Sequence, residues 1–189
     1  MIRDLIVNNR SCRRFQQDFA IERTTLEGLV ELARFSASAA NLQPLKYILS
    51  CEPDRNARIF ANLAWAGYLR EWPGPVEGER PSAYIVVLGD TEINNSFGCD
   101  HGIAAQSILL GARDQGLAGC MIGLIKREEL RRVLEIPARY EILLVLALGK
   151  PKEQVVVEDV GSDKSIKYWR DNTDVHHVPK RPLSELILG

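Results

Sequence analysis

Apolar positions along this chain follow two rhythms. In Leu26, Leu29, Val30, Leu32 and Ala33 they recur at three- and four-residue steps, which predicts a helix with one aliphatic face, capped by Thr25 and ending near Phe35. A short strand is predicted over Tyr47–Cys51, stopped by the turn chemistry of Glu52-Pro53-Asp54, and a second helix through Ile59, Phe60 and Leu63. The runs Tyr84–Leu88 and Ile142–Leu148 are continuously apolar rather than alternating, as in strands covered on both faces. Between them, His101–Arg113 is rich in Ala, Ile and Leu and carries Gly102 and Gly111, which suits a central helix packed closely on several sides. Gly116–Gly119 leads into a strand at Cys120–Ile125, with glycine where another group must come close, and Lys126–Leu134 has helical character.

Two stretches break these rhythms. Trp72–Pro81 holds three prolines and two glycines, so a surface loop is expected there. After Val160 the chain turns polar and aromatic, through Lys167-Tyr168-Trp169-Arg170-Asp171 and His176–Pro182, and closes on Leu186-Ile187-Leu188. Those aromatics and aliphatics need a covering surface, on their own subunit or on a partner.

Composition narrows the function. A chain of 189 residues that is 46% hydrophobic and 26% charged fits one domain spanning 1–189. A net charge of -1 gives no global field to recruit nucleic acid or an anionic membrane, so any polyanion site must be local. No segment reaches bilayer-spanning length and Met1–Leu5 has no apolar run, so export is not expected. Cys12, Cys51, Cys99 and Cys120 form no C-x-x-C pair, which suggests neither a zinc site nor a thioredoxin-like motif, and is consistent with reduced cytoplasmic thiols.

Three segments carry candidate chemistry. Asn9-Arg10-Ser11-Cys12-Arg13-Arg14-Phe15 concentrates guanidinium groups, which bind phosphate in bidentate fashion, beside a hydroxyl donor; its plain alternative is a solvated basic patch. Ser36-Ala37-Ser38-Ala39-Ala40-Asn41-Leu42-Gln43-Pro44-Leu45 combines small residues, which admit a planar ligand to the backbone, with two edge-facing amides; it also reads as a helix-to-strand loop. Met121-Ile122-Gly123 would expose backbone N–H donors, or simply contain a packing glycine.

In order and spacing these segments resemble the FMN-dependent nitroreductase family. The first resembles R-R-S-x-R-x-F, the second A-P-S-A-x-N-x-Q-P-W, and Asp100–Ala112 resembles D-x-G-x-A-A-Q-x-x-L-L-x-A. Gly116–Gly123 resembles G-L-x-x-C-x-I-G, and Lys180–Leu186 a basic stretch followed by P-L-x-E-L. Asn9, Ala37, Leu45 and Met121 depart from the family pattern, which has a charge, a proline, a tryptophan and an aromatic residue there.

The resemblance implies an α+β nitroreductase-like fold, a mixed central sheet wrapped by helices, in an intertwined homodimer whose C-terminal arm, about 161–189, packs on the partner. It implies FMN as cofactor and NADH or NADPH as electron donor. Arg10, Ser11 and Arg13 would meet the phosphate and ribityl chain, closed from the tail by Lys180 and Arg181, while Arg14 faces solvent. Ser38, Ala39, Asn41 and Gln43 would approach the flavin from the other subunit, and Ile122 and Gly123 would place backbone donors near its reactive nitrogen.

The implied activity is ping-pong electron transfer from NAD(P)H to a nitro-aromatic, quinone or similar small acceptor, the redox step resting on the flavin rather than on a catalytic side chain. The alternatives are a flavin-binding relative with another reaction, such as flavin destruction, dehalogenation or reduction of a specific metabolite, and a non-catalytic redox sensor built on Cys12, whose thiol nearby arginines would acidify. Trp65, Tyr68 and Trp72 precede the proline-rich loop and either line the substrate pocket or pack beneath the loop. Asp100-His101 and His176-His177 are not read as an acid pair or a metal site, because helix neighbours do not face each other and no third ligand stands at metal-site spacing.

Overall fold

Strand β3 (Ala83–Asp90), which contains the first continuous apolar run, is buried at all eight positions in the middle of a five-stranded sheet. The computed structural model describes residues 1–188, so Gly189, the last residue of the expected domain and arm, lies outside the described residues. On one side β3 pairs antiparallel with β2 (Leu45–Ser50), and on the other with the twelve-residue β5 (Tyr140–Pro151), in register at Ala83 with Leu148 and Val86 with Val145. The far edge of β5 is shared. Strand β4 (Ala118–Ile122) takes Val145–Gly149, and the two-residue β1 (Phe15–Gln16) takes Lys150 and Pro151. A parallel bridge from Ser11 to Gly119 lays the chain before β1 alongside β4 and makes the sheet mixed.

Period-two alternation sends the two faces of this sheet to separate cores. Ile85, Val87, Leu146 and Leu148 pack with Leu26 and Leu29 of α2 (Arg23–Arg34) and with Ala104 and Ile108 of α4 (Asp100–Asp114). Tyr84, Val86, Val145 and Ala147 pack with Trp65, Ile59 of α3 (Pro53–Phe60) and Leu130 of α5 (Arg127–Val133). The α+β class, with helices on both faces of a central sheet, is as expected, and it explains why β3 and β5 are continuously apolar through Tyr84–Leu88 and Ile142–Leu148. Each buried aliphatic side chain contributes about 2 kcal/mol.

Element ends differ from expectation for local reasons. Helix α2 begins at Arg23 with Glu22 as its cap residue, and Thr25 lies inside the first turn, donating its N–H to the Glu22 carbonyl. Helix α3 stops at Phe60 because Asn62 turns its amide back onto the Arg58 carbonyl, after which Leu63 pairs with Ile125. Strand β4 ends at Ile122, and the Leu124 carbonyl leaves the sheet to accept from the Ala64 N–H.

The polar tail folds back on its own chain. Strands β6 (Val155–Asp159), β7 (Trp169–Arg170) and β8 (His176–Lys180) form a second sheet in the order β6-β8-β7, with β6 and β8 parallel. It is tied to the rest by the Tyr168 ring, 4.9 Å from that of Tyr68, and by Asp174, 3.0 Å from Arg14. Beyond it Leu183, Leu186 and Ile187 are exposed. The stretch Trp72–Pro81 contains no helix or strand, but Glu79 within it is buried and its carbonyl accepts from the Phe15 N–H.

Gly119 marks the closest approach in the sheet. A Cβ there would collide with the Ala147 carbonyl oxygen and stand 2.8 Å from Leu148 Cδ2 and 2.9 Å from Leu109 Cδ2. Backbone cannot yield as a side chain can, so Gly119→Ala is expected to lower the free energy of unfolding by about 2 kcal/mol or more, read from urea denaturation midpoints.

Candidate functional site

The segment Arg10–Arg14 leaves α1 (Ile2–Asn8) and runs beside β4, where the Cys12 N–H donates to the Gly119 carbonyl at 3.0 Å. Extended backbone turns alternate side chains to opposite sides, so Cys12 goes inward with 2% exposure while Ser11 and Arg13 face outward toward a cavity of about 300 Å³. Arg10, Ser11, Arg13, His176 and Lys180 line that cavity, and among the described residues no carboxylate lines it. Three cations in one wall, with no described carboxylate lining the cavity, create a local positive potential inside a protein of near-neutral charge.

The individual groups are held from different directions. Arg10 donates from Nη2 to the Ile6 carbonyl at 2.8 Å, leaving its buried Nε without a protein partner. Arg13 donates its backbone N–H to the Glu153 carboxylate, while its guanidinium lies 5.0 Å over the Tyr168 ring and 3.4 Å from His176 Nε2. Glu153, whose side chain has no solvent exposure, accepts on its other oxygen from Arg170 at 2.8 Å. Burial, together with the charges of Arg13 and Arg170, pushes the His176 pKa down to about 4. The ring is therefore neutral at physiological pH, and Nε2 is the acceptor for Arg13.

Two expectations for this segment are overturned. Arg14 does not face solvent: it grips Glu79 through Nε at 2.6 Å and Nη2 at 2.8 Å, and reaches Asp174 at 3.0 Å. With Lys152 adding a second cation, these contacts hold the Glu79 pKa near 2. Nor is the Cys12 thiol acidified. Burial, followed by the charge of Glu153, raises its pKa, and its S–H donates to the Arg14 carbonyl at 3.3 Å. A buried, protonated thiol lacks the reactivity a sensor needs.

A smaller cavity of about 160 Å³ adjoins the first, sharing Arg13, Met121 and Tyr168 as walls. Its other walls include Trp65, Ile122 and Gly123, and open space lies where a Gly123 side chain would stand. Trp65 is wedged against Gly74, whose missing Cβ would lie 2.6 Å from the indole Cδ1 and whose φ of +120° requires glycine. Tyr68 and Trp72 line neither cavity: Tyr68 is half exposed against Tyr168, and Trp72 lies 4.3 Å beneath the Arg170 guanidinium. Arg181 also stays outside, pairing with Glu185 at 3.3 Å.

The Ser38 loop lies elsewhere. Asp100, the first residue of α4, accepts from Ser38 Oγ at 2.6 Å and from the Ala39 N–H at 3.1 Å. The loop then carries Ala40, Asn41 and Gln43 in left-handed conformations at φ 49°, 56° and 52°, a concentration of strain that this network holds in place. Ser38, Gln43, Tyr47 and Asp100 wall a separate cavity of about 300 Å³ that shares no lining residue with the first two. Burial and the Asp100 charge push the Tyr47 pKa up to about 12. Within one chain, then, Arg10, Ser11, Arg13 and Lys180 come together, Ile122 and Gly123 stand next to them, and Ser38, Ala39, Asn41 and Gln43 do not join them.

Residues 6–150, most of the chain, match the model of the nitroreductase family. The chain belongs to the nitroreductase family. A curated Archaeoglobus fulgidus protein named "Putative NADH dehydrogenase/NAD(P)H nitroreductase" is 27% identical over 158 residues, covering 79% of this chain and 85% of that protein. Among solved structures, a nitroreductase family protein of Streptococcus pneumoniae superposes over the whole of both chains with a TM-score of 0.73 at 17% identity. An FMN-dependent nitroreductase of Clostridium difficile matches 82% of this chain and 89% of its own with a TM-score of 0.66 at 21% identity.

Sequence reasoning about this family member missed His176, Tyr168, Glu153 and Arg170 as parts of the site. A signal for His176 was present in His176-His177-Val178-Pro179-Lys180, where period two puts His176, Val178 and Lys180 on one face. Because the folded His176 pKa lies below the ordinary value of 6.5, the unfolded chain takes up its proton first as pH falls. This group therefore withdraws stability between about pH 6.5 and pH 4 and none above. His176→Phe is expected to flatten that part of the stability–pH curve, measured by urea midpoints across the window.

Proposed function

We propose that this chain is an FMN-dependent oxidoreductase that passes electrons from NADH or NADPH to a nitro-aromatic, quinone or similar small acceptor, acting in the cytoplasm as a homodimer. The observation that carries this reading is the cavity lined by Arg10, Arg13 and Lys180 with no carboxylate among its described walls. It fits a phosphate monoester, and the partnerless buried Nε of Arg10 is a donor in want of such an acceptor. Beside it, the cavity walled by Trp65, Ile122 and Gly123 is where a ring system could meet the backbone with its edge.

When bound, the flavin would supply two-electron redox chemistry between the NAD(P)H donor and the acceptor. The chain's own part is binding and orientation. Arg10, Ser11, Arg13 and Lys180 would hold the phosphate end, and the backbone at Ile122 and Gly123 would offer N–H donors to the ring. The separate Ser38 loop, with Ala39, Asn41 and Gln43, is read as completing the site of a second copy, and the exposed Leu183, Leu186 and Ile187 as covered by that copy. No described helix is long and apolar enough to cross a membrane. The buried, protonated Cys12 disfavours the thiol-sensor reading.

Purified protein is expected to be yellow, or to turn yellow on adding FMN, and to bleach on anaerobic addition of NADH or NADPH, followed in the visible absorption bands. A colourless protein that FMN cannot reconstitute overturns the proposal. Two variants separate binding from support. Arg13→Ala is expected to weaken FMN binding about tenfold or more, the loss of a charge-assisted contact, with little change in the unfolding midpoint. Arg14→Ala is expected to cost about 2 kcal/mol of stability through its pair with Glu79, with a smaller change in FMN affinity. Fluorescence titration and urea unfolding on the same preparations distinguish the two effects.

A further inference from the structure

Strand β8 presents two faces with different tasks. His176, Val178 and Lys180 line the cation-lined cavity, and His177 faces the other way. There its ring stacks on Trp169 of β7, with centroids 4.1 Å apart and planes inclined by 10°. Nδ1 lies 2.9 Å from Glu158 Oε2 on β6, and Nε2 lies 3.2 Å from Asp171 Oδ2 just after β7. Both ring nitrogens therefore meet carboxylates. A neutral imidazole carries a proton on one nitrogen only and would turn a lone pair toward one of these oxygens; the imidazolium donates to both.

We propose that His177 is a positioning residue for the cofactor cavity: as an imidazolium it clamps β6 and β7 to β8 and so sets the placement of Lys180 and His176 in the cavity wall. The clamp engages all three strands of the second sheet, and β8 is the strand of that sheet that reaches the cavity. Rather than touching a ligand, His177 acts through Lys180, three residues along the same strand. This inference rests on the reading of that cavity as the FMN phosphate site.

The clamp makes the site sensitive to pH. The charged and titratable groups around the ring are Glu158 from β6, Asp171 from the turn after β7, and His176 beside it on β8, which stays neutral. The two carboxylates raise the His177 pKa, and hydrogen bonds from Thr173 and His177 hold Asp171 near 2, so Asp171 stays charged through the physiological range. A raised folded pKa gives stability that is complete below the ordinary value of 6.5 and is lost as pH rises through the folded value. The clamp therefore loosens on the alkaline side. The second ionisation of a phosphate monoester, near pH 6, acts in the opposite sense by strengthening binding as pH rises.

The test compares wild type with His177→Gln, in which the carboxamide can meet one carboxylate but carries no charge. FMN dissociation constants are measured by fluorescence quenching from pH 6.5 to pH 9. In wild type the constant is expected to rise several-fold across this window, while the variant holds the weaker, alkaline wild-type value and shows a flatter profile. Parallel profiles in the two proteins overturn the proposal. A second measurement does not need the cofactor: the His177 ring proton shift in apoprotein, followed by NMR, should titrate above 6.5, and in Glu158→Gln its midpoint should fall. If FMN fails to bind at any pH while His177 titrates as stated, the cofactor reading fails and the clamp stands. If FMN binds and His177 titrates at or below its ordinary value, the clamp fails alone.

Discussion

A carboxylate sealed from solvent has to be fully satisfied by protein donors, and Glu153 is the point where this requirement ties the molecule together. One of its oxygens accepts from the Arg13 backbone N–H and the other from the Arg170 guanidinium, so a single buried charge joins the N-terminal cluster to the C-terminal sheet. Withdrawing Arg170 would leave an unpaired buried carboxylate, which is far costlier than the pair is favourable, and withdrawing the Arg13 N–H would leave one of its oxygens without a donor. Arg13 is thus held by its backbone, and its guanidinium is free to serve the cavity. The consequence is a cation-lined cavity that exists only when residues near both ends of the chain have been brought together.

Around that joint the basic cluster divides its labour by strand alternation. Arg10 and Arg13 turn to the cavity, Cys12 turns into the core, and Arg14 is spent on Glu79 and Asp174. Lys152 reinforces the same Glu79, pinning the irregular stretch from Trp72 to Pro81 to the edge of the sheet. His176 remains neutral between Arg13 and Arg170, because burial, and then repulsion from both arginines, disfavours its charged form. Its neutrality lets it accept a hydrogen bond from Arg13 rather than compete with it.

The scaffold beneath is less demanding chemically and stricter sterically. Strand β5 pairs along one edge with β3 and along the other with β4 and then β1, so that each face must be apolar and every close neighbour must fit. Gly119 marks where the fit is tightest and also contributes to the cavity floor. Packing and function therefore meet at one residue. At the other end of β4, Ile122 is buried while Gly123 leaves the ladder, which exposes backbone at the point where the second cavity begins.

How much of this was legible in the sequence depended on the range of the interaction concerned. The apolar runs in β3 and β5, the small-residue helix α4 and the glycine before β4 are local patterns, and burial on two faces leaves a direct imprint on composition. Five ordered segments likewise revealed the family, and the pairing of Arg10 and Arg13 with Lys180 in one cavity followed from it. The sequence did not determine which arginine would be structural, or that the Cys12 thiol would be buried and protonated. Helix ends at Glu22 and Phe60 were also settled by neighbours rather than by propensity. Glu153 lies 140 residues from Arg13, and His176 lies 163 residues from it. No window along the chain contains both members of such a pair, and only the three-dimensional path of the backbone determines whether a charged side chain meets water, a ligand or an opposite charge.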